Sequence, residues 1–326
     1  MTAPSNRILI TGGAGFVGSH LAERLLAKGH NVTAIDNLST GSLANISHLK
    51  ESPGFNFVRG DISDEIVLDR LTSQSDIIIH LAAAVGVQLI VERPVYTIEN
   101  NVAGTEKVLR SALRYNCKVL IASTSEVYGK GHKFPFSEDD DVLLGPTNKS
   151  RWGYAASKML DEFLGLAYFH EYGLEVVCFR LFNTVGPRQS GQYGMVVPRF
   201  VRKALAGEPI EVYGTGHQQR CFVHVSDVVK AIDRLALEKK AVGNVFNVGS
   251  TEEISILELA EKVKKMTESK SGIVTIPYEK AYAPGFEDME RRVPDISKVN
   301  QVTGWKPSKD IDEILRDVIA FEKTQN

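Results

Sequence analysis

The stretch Ile8-Leu9-Ile10-Thr11-Gly12-Gly13-Ala14-Gly15-Phe16-Val17-Gly18 places a glycine-rich turn directly after a short apolar run. The residues that follow, Ser19 to Lys28, are typical of a helix, so the segment predicts a strand, a tight turn and a helix. Gly12 permits the turn, Gly15 leaves room for a pyrophosphate against the backbone, and Gly18 lets helix and strand approach closely. Because the helix N-terminus carries partial positive charge, this segment predicts a dinucleotide site.

A carboxylate at the end of the next apolar run refines that prediction. The run Asn31 to Ile35 is followed by Asp36. In dinucleotide-binding folds an acid at this place meets the hydroxyls of the adenosine ribose. A carboxylate repels a 2′-phosphate, so the sequence predicts NAD rather than NADP.

Apolar segments recur along the first 180 residues and are mostly separated by helical patterns. Strands that are apolar throughout and alternate with helices indicate a parallel sheet covered on both faces. The sequence therefore predicts an α/β protein with a Rossmann-like, doubly wound parallel sheet. The predicted strands are Arg7–Ile10, Asn31–Ile35, Phe55–Arg59, Asp76–Leu81, Lys118–Ser123 and Glu175–Arg180, and the two main helices are Ile98–Tyr115 and Tyr154–Tyr172.

The pattern changes after Arg180, where prolines, glycines and shorter elements become frequent. We expect a smaller, interleaved C-terminal substrate lobe that comprises residues 186–216 and 250–326. Residues 1–185 are predicted to form the NAD-binding domain. Residues 217–249 are predicted to return to it, with strands near Val223–Val225 and Asn244–Val248 that rejoin the sheet.

The composition excludes several classes of function. The chain has 326 residues, of which 43% are hydrophobic, and a net charge of −2, which is no electrostatic basis for binding nucleic acid or an anionic membrane. No apolar stretch approaches the roughly 20 residues that span a bilayer, and Met1–Asn6 has no signal-peptide pattern. The sequence thus predicts a cytoplasmic protein without membrane or nucleic-acid partners.

The cysteines and histidines point to structural roles. Cys117, Cys178 and Cys221 are scattered and odd in number, which favours a reducing compartment over a disulfide framework. Cys117 and Cys178 border apolar strands and are predicted to be inert core thiols. The eight histidines lack metal-ligand spacing, so no metal is expected, and His80, within an apolar run, is predicted to lie in the core.

Two segments carry acid–base chemistry. Ser123, Thr124, Ser125 and Glu126 lie at the end of the fifth predicted strand, where open α/β sheets place their ligands. Tyr154 and Lys158 lie four residues apart and share one helix face. An ammonium favours the phenolate, and lowering a tyrosine pKa from about 10 to about 7 requires about 4 kcal/mol. Tyr154 is therefore the predicted base for a hydroxyl proton while hydride leaves the same carbon for NAD, with Thr124 holding that hydroxyl.

Together with Asp61-Ile62, Leu81-Ala82-Ala83, Asn100 and Asn183, these motifs resemble the extended short-chain dehydrogenase/reductases that act on nucleotide sugars. The resemblance covers nearly the whole chain. It implies tightly held NAD, a UDP-, GDP- or dTDP-linked sugar, with UDP preferred, and a homodimer built from two helices of each subunit.

The resemblance also assigns site residues position by position. Those implied to bind the cofactor are Gly12, Gly15, Phe16, Val17, Gly18, Asp36, Asn37, Ser39, Gly41, Asp61, Ile62, Leu81, Ala82, Ala83, Asn100, Ser123, Tyr154 and Lys158. Those implied to bind the substrate are Arg151, Asn183, Arg188, Val197, Tyr213, Arg220, Arg292 and Asp295. The implied catalytic residues are Thr124, Ser125, Glu126, Tyr154 and Lys158. Independently, guanidinium groups suit phosphate oxygens better than ammonium groups do.

The residues around Tyr154 separate the reactions open to this family. Glu126 stands where simple 4-epimerases commonly carry a small residue, and it resembles the 4,6-dehydratases and the UDP-glucuronate decarboxylases. Ser125 replaces the aspartate of the dTDP-glucose dehydratases, and Asp36 disfavours the NADP of the GDP-mannose type. Arg151 and Arg292 resemble the arginines that the decarboxylases place near the sugar carboxylate.

The sequence therefore predicts decarboxylation of UDP-glucuronate through a transient 4-keto sugar, giving UDP-xylose or the 4-keto-pentose. A 4-epimerase of UDP-glucuronate or UDP-glucose is the alternative, followed by a 4,6-dehydratase, and a non-catalytic NAD-binding sensor represents a different class. Two purely structural alternatives also stay open: Arg151 could pair with an acid among residues 138–141, and the only role of Glu126 could be to order the loop that contains it.

Overall fold

The structure, a computed structural model, describes residues 5–86, 90, 92–191, 195–281, 289 and 291–325. Residues 1–4, most of the segment tested for a signal peptide, lie outside this range. The strands are β1 Arg7–Thr11, β2 Asn31–Asp36, β3 Phe55–Arg59, β4 Ile77–His80, β5 Lys118–Thr124, β6 Val176–Leu181, β7 Thr184–Val185, β8 Ile210–Tyr213, β9 Gln219–Cys221, β10 Val223–His224, β11 Asn244–Val248, β12 Glu253–Ser255 and β13 Ile273–Ile276. The α-helices are α1 Phe16–Ala27, α2 Glu65–Thr72, α3 Pro94–Tyr115, α4 Arg151–Tyr172, α5 Val196–Leu205, α6 Val225–Leu237, α7 Ile256–Met266, α8 Tyr278–Ala281, α9 Ser297–Thr303 and α10 Ile311–Lys323.

The predicted parallel sheet is confirmed. Among the described residues it has seven strands in the order β11-β6-β5-β4-β1-β2-β3, all paired in parallel. Its central strands are apolar on both faces, and every residue of β4 is buried. Such strands need cover on both sides, which the helices between them provide.

Helices cover both faces of the sheet. Leu21 of α1 and Ile232 of α6 belong to one buried cluster, and Leu68 of α2 and Val108 of α3 belong to another on the opposite face. The connection reverses beside β1, so the carboxyl ends of β1, β4 and β5 open onto a crevice. In doubly wound folds this crevice is the place where ligands bind.

A separate apolar cluster unites the later elements of the chain. Side chains of α5, α7 and α10 pack together there, including Phe200, Leu259 and Leu315, each fully buried. The short pairs β8–β13 and β9–β12 lie beside this cluster. These elements face the carboxyl ends of the main sheet and supply the second wall of the crevice.

The predicted return of the chain to the sheet is half correct. Asn244–Val248 forms β11 and pairs with β6 at the sheet edge, as expected. The prediction for Val223–Val225 is wrong: Val223–His224 pairs with Thr184–Val185 in a separate two-stranded sheet. The strand is cut short because α6 begins at Val225, with the His224 side chain accepting a hydrogen bond from the backbone N–H of Ser226.

The predicted core residues are confirmed. His80 is buried, with Nδ1 2.7 Å from Thr11 Oγ1 and Nε2 3.1 Å from Thr105 Oγ1. Burial lowers the pKa of His80 to about 3, so its ring is neutral at physiological pH. Cys117 and Cys178 are buried free thiols, and burial raises the pKa of Cys117 to about 11.

Over the part of the chain that the structure describes, no helix combines the length and apolarity needed to cross a bilayer. Within the same residues, no group of three His, Cys, Asp or Glu side chains is arranged to hold a metal ion.

Candidate active site

A cavity of about 500 Å³ lies at the carboxyl ends of the sheet strands. One wall consists of the turns that follow β1, β2, β4, β5 and β6, and the other comes from α5, β8 and the segment around Arg220. The predicted cofactor residues that line it are Gly12, Gly15, Phe16, Val17, Gly18, Asp36, Asn37, Ser39, Asp61, Ile62, Leu81, Ala82, Ala83, Asn100, Ser123, Tyr154 and Lys158.

The glycine turn has the geometry that a bound pyrophosphate requires. Gly12 adopts a φ of +72°, and a Cβ there would lie 2.9 Å from the backbone nitrogen of Ala82. A Cβ at Gly18 would overlap the carbonyl of Gly12. Helix α1 starts at Phe16 without a side-chain cap or an acidic residue in its first turn. The first N–H groups of α1 are therefore available to an anion in the cavity.

Asp36 lies at the cavity wall and is held in place by the backbone. Its Oδ2 accepts from the N–H of Ala14 at 3.0 Å, and its Oδ1 accepts from Leu38 at 2.8 Å. Burial raises the pKa of Asp36, and these hydrogen bonds oppose that rise. Gly41, expected to bind cofactor, does not line the cavity; a Cβ there would lie 2.8 Å from the Asp36 carboxylate. Gly41 thus leaves space for the Asp36 carboxylate, and its contact with the cofactor stays a prediction.

The predicted acid–base residues meet in the cavity. Thr124 ends β5, Tyr154 lies in the first turns of α4, and both side chains line the cavity. Burial raises the pKa of Tyr154, and the negative charges of Glu126 and Asp161 raise it further, whereas the Thr124 hydroxyl and Arg292 lower it. Ser125 and Glu126 also line the cavity. Tyr154 is therefore protonated at neutral pH, and its deprotonation requires additional positive charge near the hydroxyl.

Lys158 forms an ion pair with Asp161, a residue that was not predicted from the sequence. Its Nζ donates to Asp161 Oδ2 at 2.7 Å, and both side chains are almost completely buried. The predicted proximity of Lys158 and Tyr154 on one helix face holds, but the ammonium also has a counter-ion three residues along α4. The spacing of Lys158 and Asp161 was visible in the sequence, although their burial was not.

Charged groups of both signs surround the Tyr154 hydroxyl. Arg292 Nη1 lies 3.8 Å from Glu126 Oε1, and both side chains line the cavity. Arg151 is buried and also lines it. Of the acids considered as alternative partners for Arg151, Glu138 accepts from the Asn247 backbone and Asp140 pairs with Lys133.

The predicted substrate residues divide into two groups. The majority line the cavity: Arg151, Asn183, Val197, Tyr213, Arg220 and Arg292. Arg188 does not; its guanidinium contacts Glu23 Oε1 at 2.5 Å and Ser19 Oγ at 3.3 Å on α1. Asp295 also lies outside, where its Oδ1 accepts from the backbone N–H of Ser297 at 2.8 Å as α9 begins. The substrate roles of both residues stay predictions: here Arg188 ties its loop to α1, and Asp295 holds the start of α9.

The cavity contains further side chains that the sequence analysis did not identify. The Arg199 guanidinium stacks on Tyr213, with Cζ 3.7 Å from the ring centroid. Gln218 and Tyr278 complete the same wall. Arg199 lies within the apolar repeat of α5, which does not signal a binding residue. Tyr278 lies in a single helical turn that contains no motif. Only the assembled second wall identifies them.

The fold and this cavity define a Rossmann-fold enzyme of the nucleotide-sugar type. Residues 9–318 match the GDP-mannose 4,6 dehydratase family, and the chain belongs to that family. A UDP-N-acetyl-alpha-D-glucosaminuronate decarboxylase of Bacillus cytotoxicus is 44% identical over 322 residues, covering 98% of this chain and 99% of the relative. A UDP-glucuronic acid decarboxylase 1 of Danio rerio is 36% identical, covering 97% of this chain and 72% of the relative.

A solved structure has the same fold over the full length. It is a UDP-glucuronic acid 4-epimerase from Bacillus cereus in complex with UDP-glucuronic acid and NAD. It is 27% identical, with a TM-score of 0.88, and the alignment covers 98% of this chain and all of the other, 100%. The resemblance predicted from the motifs, to nucleotide-sugar short-chain dehydrogenase/reductases, is therefore confirmed.

Proposed function

We propose that this chain decarboxylates a UDP-hexuronate through a transient 4-keto sugar, with NAD as its cofactor. The observation that carries the proposal is the placement of Arg151, Arg292 and Glu126 in one cavity with Tyr154 and Thr124. A carboxylate at C5 of the sugar complements the charge of the two arginines, and the two relatives described above are named as decarboxylases of such sugars.

The cofactor residues fit a dinucleotide. The open N-terminus of α1 and the side-chain-free surface at Gly12 and Gly18 suit the pyrophosphate, and Asp36 suits the ribose hydroxyls. When bound, NAD accepts a hydride from C4 of the sugar and later returns it. Asp61 and Ile62 line the same cavity and are proposed to flank the adenine.

Side chains of the protein carry out the proton transfers of the reaction. Thr124 orients the C4 hydroxyl, and Tyr154 removes its proton as C4 is oxidised. The resulting ketone is β to the carboxylate, so breaking the C5–C6 bond releases CO₂ and leaves an enolate. C5 then takes up a proton, for which Glu126 in the same cavity is the proposed donor, and Tyr154 returns its proton to O4 when C4 is reduced.

The two arginines hold the departing carboxylate. Arg292, tied loosely to Glu126, and Arg151, in the turn before Tyr154, approach the reacting end of the cavity from different elements. Their charge stabilises the carboxylate and then the enolate oxygen. At the other end, Arg220 and Asn183 are proposed to bind the diphosphate, and Tyr213 with Val197 the uridine.

We propose that each wall of the cavity binds one of the two ligands. Residues 1–185 with 217–249 would hold NAD, and residues 186–216 with 250–326 would hold the nucleotide sugar. Free cysteines support a cytoplasmic location. Large apolar side chains exposed along α3 and α4 support a homodimer through these helices; they are Val95, Ile98, Leu160 and Phe163.

Product analysis tests this function. The purified enzyme with NAD is incubated with UDP-glucuronate and, in parallel, with its 2-acetamido analogue. We expect CO₂ release and a UDP-pentose, or its 4-keto form, from at least one of them. A product of unchanged mass with inverted C4 would instead establish the 4-epimerase. Conversion of UDP-glucose alone would contradict the proposed use of a carboxylate.

A further inference from the structure

Asn247 is a fully buried amide in β11 that does not line the cavity and has no role in the proposed reaction. Its Oδ1 accepts from Tyr128 Oη at 2.8 Å. Its Nδ2 donates to the carbonyl of Phe136 at 2.9 Å and to that of Asp295 at 3.1 Å. A buried amide is costly unless it is hydrogen-bonded, and both ends of this side chain have partners. Asn247 therefore joins three segments that lie far apart in the sequence.

One of these segments carries Arg292. The residues directly after it, Val293 to Asp295, belong to no helix and make one isolated bridge to Phe136. The N–H of Phe136 donates to the carbonyl of Val293 at 2.9 Å, and the N–H of Asp295 donates to the carbonyl of Phe136 at 2.8 Å. The Asn247 amide adds one hydrogen bond to each side of this bridge. The backbone after Arg292 is thus attached to a side chain of the main sheet.

The second segment carries Glu126 and is anchored differently. The turn Ser125–Tyr128 follows β5 directly, and the Tyr128 ring stacks on that of Phe136 with the centroids 4.5 Å apart. Loss of the Tyr128 hydroxyl would leave this stacking in place. The hydrogen bond to Asn247 Oδ1 therefore only supplements the attachment of the turn to its strand and to the neighbouring ring.

We propose that Asn247 is a positioning residue for Arg292: its Nδ2 hydrogen bonds hold the segment that places the guanidinium opposite Glu126. Arg292 Nη1 lies 3.8 Å from Glu126 Oε1, and both side chains line the cavity. The inference rests on the proposed function, in which Arg292 contacts the carboxylate at C5. Guanidinium–carboxylate contacts depend on geometry, so a displaced segment should weaken binding of the carboxylate and spare the rest of the nucleotide sugar.

The test measures how strongly the site prefers a sugar carboxylate. Calorimetry gives dissociation constants for UDP-glucuronate and UDP-glucose, and for the corresponding 2-acetamido pair; within each pair the sugars differ only at C6. All proteins carry bound NAD and the substitution Tyr154→Phe, so that the hexuronate is not consumed. The ratio of the two constants separates the contribution of the carboxylate from that of the nucleotide.

Asn247→Leu is expected to lower this preference about tenfold, because a small displacement of a binding group has a large effect on the contact it makes. The affinity for the UDP-hexose should change by less than about twofold. An unchanged preference, or an equal loss of affinity for both sugars, would overturn the proposal. Equal affinities in the protein that retains Asn247 would refute the proposed function itself, and the inference with it.

Tyr128→Phe is the matched control, because it removes one hydrogen bond of the same amide and keeps both bonds from Nδ2. The preference for the carboxylate should then stay within about twofold of its original value. A tenfold loss in Tyr128→Phe would mean that any lost bond at Asn247 has this effect, which contradicts a role specific to the segment after Arg292.

A second variant tests the proposal even if Asn247→Leu folds poorly. Asn247→Asp has the same shape and keeps an acceptor for Tyr128, but a carboxylate has no donor for the two carbonyls, so the same loss is expected. A retained preference in Asn247→Asp would contradict the proposal. With Arg292→Leu already present, either substitution should change the preference by less than about twofold. A further large loss there would show that Asn247 acts through a residue other than Arg292.

Discussion

Replacing Tyr154 by Phe is expected to reduce turnover by about 10³-fold, because the variant has no group to take the proton from the C4 hydroxyl. The Thr124 hydroxyl lowers the pKa of Tyr154, and both side chains line the cavity together with Glu126. The phenyl ring preserves the packing of α4. Binding of NAD, measured by quenching of protein fluorescence, should therefore stay within about threefold of the unmodified enzyme.

Tyr128→Phe is the control for the loss of a buried tyrosine hydroxyl. Tyr128 Oη donates to Asn247 Oδ1 at 2.8 Å, and Tyr128 lies outside the cavity. Its removal should cost about 1 kcal/mol of stability and leave turnover per folded molecule unchanged. If Tyr154→Phe retained more than a tenth of the activity, a different residue would have to be the base.

Replacing Arg292 by Leu is expected to lower kcat/KM for a UDP-hexuronate by about 150-fold, corresponding to about 3 kcal/mol for truncating one partner of a buried, charge-assisted contact. Arg292 is buried, faces Glu126 and lowers the pKa of Tyr154. Its loss should therefore weaken binding of the carboxylate and also move the acid limb of the hydride step to higher pH.

The neighbouring residue provides a close control. Arg291 pairs with Glu253 at 2.6 Å on the surface, and its side chain is about half exposed. Such pairs contribute roughly 0–1 kcal/mol, so Arg291→Leu should change kcat/KM by less than about threefold. Equal losses in the two variants would remove the proposed contact between Arg292 and the sugar carboxylate.

The features that could be predicted from the sequence are those set by local rules. An apolar strand, a glycine turn and a helix occur within residues 8–28, and the dinucleotide cradle follows from that segment alone. Thr124 and Glu126 follow a buried strand, and strand ends of a parallel sheet share one edge. These residues and Tyr154 therefore meet in the cavity as predicted.

Arg188 and Asp295 were predicted to bind substrate and lie outside the cavity. Arg188 lies far along the chain from Glu23, and no pattern around either residue signals that they pair. Asp295 has the residue type and spacing of a ligand, but the same properties suit the start of α9. Asp161 and Arg199 become recognisable only when burial and the opposite wall are known.

The most direct test of the central claim uses a UDP-hexuronate that carries deuterium at C4. In the proposed mechanism the C4–H bond breaks before CO₂ leaves, with Tyr154 as base and the bound cofactor as hydride acceptor. Reduction of the cofactor at 340 nm in a single turnover should then be slower by about twofold or more with the deuterated substrate. Equal rates for the two substrates, or CO₂ release without any signal at 340 nm, would contradict it.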